Sequence, residues 1–132
     1  MSAELQAPLP GNVLQTVVDL GPEYGNDGRA DTRDVGAAQV TTSMVDREGY
    51  GDLPTRVHRP VLDLDFPAQL VPSSTPGHFH LYLDLEVPHA KYMTLLGALA
   101  DAGVIEPGYC GASQERGYTA VRLPWVKKEA AA

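Results

Sequence analysis

Residues 61–84 read VLDLDFPAQLVPSSTPGHFHLYLD, and the two alternating runs in this stretch decide the fold that the sequence predicts. Successive side chains of a strand point to opposite faces, so residues two apart share one. In the first run Leu62, Leu64 and Phe66 share a face, and Asp63 and Asp65 take the other. In the second run Phe79, Leu81, Leu83 and Leu85 alternate with His78, His80, Tyr82 and Asp84. If both apolar sides lie on one core, the acids, imidazoles and phenol gather on the reverse of the sheet.

Downstream, Pro88 suits the first position of a helix. Tyr92, Leu95, Leu96 and Leu99 follow at the spacing of an amphipathic stripe, and Gly103 stands where a terminating glycine belongs. The stripe is expected to cover Leu62, Leu64, Phe79, Leu81 and Leu83. Residues 108–117 (GYCGASQERG) read as a loop or hairpin arm. Residues 118–123 alternate again, with Tyr118, Ala120 and Arg122 on the polar face, and Trp125 is expected as a core or edge cap.

Upstream, residues 1–11 are expected to be a flexible leader and residues 13–20 (VLQTVVDL) a β-branched strand. Residues 21–36 read as a long acidic loop. Its Asp27, Asp31 and Asp34 lack the spacing of a calcium loop. Residues 37–45 form a half-buried strand and 46–55 a connection. Together these predict an α+β fold: a mostly antiparallel sheet of four to six strands with one amphipathic helix packed on one face. The expected layout is one domain over 12–126, with a tail at 127–132.

Composition narrows the function classes. The chain has 132 residues and 14.1 kDa, long enough for a core that buries most of its apolar side chains. The net charge is −7, and beyond Lys127 and Lys128 there is no basic block to hold a duplex. A lone Cys110 forms no internal disulfide and lacks an obvious base partner. No apolar run is long enough to span a membrane and no signal-peptide pattern opens the chain, so a cytoplasmic protein is expected.

The polar residues around the opening stretch suggest a site. Asp63 and Asp65 on one strand face, with His78 and then Asp84 as further ligands, have the donor types that hold a divalent cation such as Mg²⁺ or Mn²⁺. His80, Tyr82 and Arg122 are candidate contacts for a nucleotide phosphate. A plainer reading stays open beside this one: both acids solvate an exposed strand, and Arg122 neutralises them.

The same residues resemble a known pattern. VLDLD followed by STPGHFHLYLD is similar to the first two motifs of the archaeo-eukaryotic primase superfamily, in the primase–polymerase domains of phages and plasmids. The resemblance implies that Asp63 and Asp65 are metal-binding acids and that His80 of His80-Leu81-Tyr82 contacts phosphate. The family's third acid has no counterpart, because the later strand offers Arg122 instead. The texture from SSTPGHFHLYLD to RGYTAVRLPW also resembles small proteins of actinobacterial phages. His78, His80 and Asp84 or Glu86 are similar, besides, to the first metal motif of cupins.

Two functions follow from this reading, with a cupin-like metal-binding protein as a further alternative. One is a phage-type protein that binds a nucleotide or single-stranded nucleic-acid end on its polar sheet face, with metal assistance and with catalysis left unassigned. The other is a non-catalytic interaction protein, accessory or host-modulating, whose acidic surface meets a basic protein.

Overall fold

The structure is a computed structural model, and it describes residues 11–19, 28–45 and 57–127. The leader through residue 10, the first part of the acidic loop with Asp27, the 46–55 connection and the tail beyond residue 127 lie outside the described residues. The fold is α+β with antiparallel strands, as the sequence predicts. In place of one sheet and one helix, the described residues form a three-stranded sheet, a two-stranded sheet and two helices. The chain divides into two compact units, Met1–Asp63 and Leu64–Ala132. Among the described residues no helix is long and apolar enough to cross a membrane.

The first unit is built on β1 (Asn12–Asp19), flanked by β2 (Gly28–Thr32) and β3 (Val40–Val45), both antiparallel to it. β2 corrects the expectation of an unbroken loop over 21–36. Its polar sequence GRADT is poor in strand formers, but pairing with β1 supplies its hydrogen bonds, from Leu14↔Thr32 to Asp19↔Gly28. Asp34 then shapes the turn into β3: its carboxylate accepts from the Gly36 N–H at 3.0 Å, and its carbonyl accepts from Ala37 and Ala38.

Asn12 is buried at the start of β1. Its Nδ2 donates to the Thr42 carbonyl at 2.6 Å and to the Arg59 carbonyl at 3.3 Å. Arg59 belongs to an extended segment that follows β3, where Met44 bridges His58 and the Arg59 N–H donates to the Ser43 carbonyl at 2.9 Å. His58, which precedes the aspartate pair in sequence, has its Nδ1 2.9 Å from Ser43 Oγ.

The second unit holds a β-hairpin and a pair of helices. β4 (Ala68–Pro72) pairs with β5 (Phe79–Leu83) in an uninterrupted register from Ala68↔Leu83 to Pro72↔Phe79. The β5 strand matches the alternation that predicts it. Its partner does not: residues 61–67 form no strand, and the short apolar segment at 69–71 pairs with β5 instead. Alternation makes a segment fit for a strand, but a strand exists only where a neighbour satisfies its backbone groups.

α1 (His89–Asp101) runs where the stripe predicts, with Pro88 one position earlier than expected, at the N-cap. The Tyr92 N–H donates to the Pro88 carbonyl at 2.9 Å. At the other end the Val104 N–H reaches the Leu99 carbonyl and the Gly103 N–H that of Ala100, with Gly103 at φ 80°. This is the paired closure that a left-handed glycine permits.

α2 (Pro107–Arg116) replaces the expected loop. Pro107 opens it, where a missing N–H costs nothing, and Gly117 at φ 92° closes it. The two helices pack on a small core of Leu96, Cys110 and Ser113, which are 3%, 5% and 0% exposed. Gln114 Nε2 donates to the Met93 carbonyl at 3.1 Å across this contact. A Cβ at Gly97 would lie 3.7 Å from that amide, an ordinary van der Waals contact.

The stripe of α1 therefore meets α2 and not a sheet. Residues 118–123 form no strand either. They run across the helices, where Tyr92 Oη lies 2.7 Å from Thr119 Oγ1 and Tyr109 Oη donates to the Ala120 carbonyl at 3.3 Å. Trp125, expected in the core or capping an edge, is 74% exposed.

Candidate functional site

The β4–β5 hairpin carries most of the residues that the sequence singles out. Residues directly opposite in an antiparallel pair share a face. Ala68, Leu70, Pro72, Phe79, Leu81 and Leu83 therefore make one wholly apolar face. Gln69, Val71, His80 and Tyr82 make the other. The sequence predicts that the apolar face is buried beneath α1, and the structure reverses this. Leu70, Leu81 and Phe79 are 65%, 62% and 56% exposed, while His80 and Val71 on the other face are half-buried. His80 Nδ1 is enclosed without a hydrogen-bond partner.

The remaining predicted residues are spread out. His78 sits exposed at the turn end, where its carbonyl accepts from the Ser73 N–H at 2.9 Å. Asp84 sits exposed at the open end, where its N–H donates to the Pro67 carbonyl at 2.9 Å. Asp65 leads into that open end and is also exposed. The two ends of the hairpin are about 20 Å apart at the usual rise per strand residue, which separates Asp65 and Asp84 from His78.

Asp63 is the last residue of the first unit and lies in no strand. Arg122 is exposed beyond the segment strapped to the helices, so it shares no sheet face with His80 or Tyr82. Within neither unit do three His, Cys, Asp or Glu side chains come together as a metal centre requires, among the described residues.

What the hairpin can do chemically follows from its surface. Residues 68–83 contain no Asp, Glu, Lys or Arg, whereas Asp65, Asp84 and Glu86 stand just outside them. An uncharged apolar patch with an acidic margin can be buried against an apolar surface and can pair with basic groups at its edge. This patch was legible only as core in the sequence. Nothing in the sequence marks it as surface; it is exposed because, among the described residues, no further strand or helix of its unit covers the hairpin.

An open depression lined by Val13, Asp31, Thr32 and Arg33 lies on the three-stranded sheet. There Asp31 Oδ1 already accepts from Gln15 Nε2 at 3.0 Å. Compared with known proteins, the chain matches no family model, and no curated protein or solved structure is significantly similar to it.

Proposed function

We propose that the chain is a non-catalytic interaction protein whose docking surface is the apolar face of the β4–β5 hairpin. The observation that carries this reading is the exposure of Leu70, Phe79 and Leu81 together on one face. A two-stranded hairpin is marginal by itself, and an apolar face of this kind is stabilised when a partner removes it from water. The partner that fits has an apolar centre and a basic margin. The exposed Asp65, Asp84 and Glu86 border the patch, and the whole chain carries −7.

The test is site-specific photocrosslinking in the cell that makes the protein. A photoreactive residue at position 70 is expected to give a discrete product with one other protein, and the same residue at position 101 none. Ala68→Lys, which sets a positive charge on the face, is expected to abolish the product. No heterologous product at position 70, or equal products at both positions, overturns the reading.

A titration with Mn²⁺ or Mg²⁺ and a nucleoside triphosphate tests the nucleotide alternative directly. Saturable binding that disappears in Asp63→Ala with Asp65→Ala would favour that function instead.

A further inference from the structure

We infer that β5 pairs edge to edge with β5 of a second copy of the chain, antiparallel and centred on Leu81. This inference rests on the reading of the hairpin as an interaction surface and adds a second occupant at its edge.

The edge is identified by the hydrogen bonds. Ser73 donates to His78 and Asp84 donates to Pro67, and these pairs bracket the register. Antiparallel pairs alternate between hydrogen-bonded and non-bonded, so Val71↔His80 and Gln69↔Tyr82 are the bonded ones. The N–H and C=O groups of Phe79, Leu81 and Leu83 therefore point away from β4, along an outer edge that no strand of the unit occupies among the described residues. The outer edge of β4 is poorer, because Pro72 there has no N–H to offer.

β5 also lacks the usual devices against such pairing. Proteins blunt an edge with charge, proline or a bulge. β5 has no Lys, Arg, Asp, Glu or Pro, and its register with β4 is unbroken.

The sequence around Leu81 is complementary to itself under a two-fold axis. A centre at Leu81 is the one two-fold register in which Phe79, Leu81 and Leu83 all meet outward-facing groups of the other copy. Phe79 then lies opposite Leu83 of the second copy, and Leu81 opposite Leu81. On the other face His80 lies opposite Tyr82, and His78 opposite Asp84. Each end of the paired edge thus sets an imidazole against a carboxylate. The uncharged span of residues 68–83 keeps the −7 charges of two chains from meeting along the strands. The four-stranded sheet so formed would extend the apolar face of each hairpin into one continuous surface.

His78 and Asp84 are six strand residues apart, roughly 20 Å, and do not reach each other within one chain. This separation makes a charge swap diagnostic. The full chain is expected to sediment at twice its 14.1 kDa mass at micromolar concentration. Asp84→Lys alone and His78→Asp alone are each expected to weaken the dimer about ten-fold, since two symmetric cross-strand pairs turn repulsive or are lost. The double variant is expected to recover to within about three-fold of wild type, because the ammonium introduced at position 84 then faces the carboxylate introduced at position 78 of the second copy.

Leu81→Pro removes an outward donor at a position not bonded to β4, and is expected to give monomer. A wild-type chain that stays monomeric at about 1 mM, or a double variant no better than the singles, overturns the inference. Crosslinking from position 70 to a different protein is unaffected by that result, so the two readings fail separately.

Discussion

At the residue scale, Asn12 and Tyr92 show how much of each unit depends on single polar groups. Asn12 ties β1 to the Thr42 and Arg59 carbonyls through one amide, while its own Oδ1 is enclosed without a partner. Asn12→Asp would replace that donor by a carboxylate facing carbonyl oxygens. We expect a loss of about 3 kcal/mol, read from urea denaturation, since a buried donor is removed and a charge is left unpaired. Tyr92 Oη reaches Thr119 from α1, so Tyr92→Phe should cost about 1 kcal/mol and no more, because Thr119 keeps access to water. Neither role was legible in the sequence. Thr42 and Arg59 lie 30 and 47 residues from Asn12, and nothing local to position 12 announces either bond.

At the element scale, the helices divide by how local their determinants are. α1 was legible because its apolar period, its proline and its terminating glycine all act within one segment. Leu96→Ala should cost about 3 kcal/mol in thermal unfolding, the usual range for emptying a buried leucine site. Gly103→Ala should cost about 1 kcal/mol. The space beside Gly103 is open, so the loss comes from forcing φ 80° on a residue with a Cβ. α2 was read as a loop because Gly108 and Gly111 lower its helical propensity. Pro107 at its start and Gly117 after its end were the available signal. The strands predicted at 61–66 and 118–123 failed for another reason. Their alternation is real, but β4 takes the place beside β5, and the helices take residues 118–120.

At the scale of the whole molecule, apolar side chains do not divide into core and surface as the composition suggests. Val35, Leu62, Leu70, Phe79, Leu81, Val104 and Trp125 are all more than half exposed, and Leu96 and Cys110 are the buried hydrophobics among the described residues. Leu70→Asp separates a surface role from a core one. It should change stability by less than about 0.5 kcal/mol, where a core leucine would cost several. It should also lower the binding of an apolar dye such as ANS.

The sequence by itself determined the segments that can be settled within one or two turns of chain: the α+β class, β1, β3, β5, and α1 with its glycine stop. It also marked residues 61–84 as the chain's distinctive stretch. Only the tertiary structure decided which strand lies beside β5, which helix meets the α1 stripe, and which face of the hairpin meets water. Those outcomes depend on competition between distant segments for the same backbone partners and apolar surface. A period of two or of 3.6 states what a segment is able to bury, and the rest of the chain decides whether anything covers it.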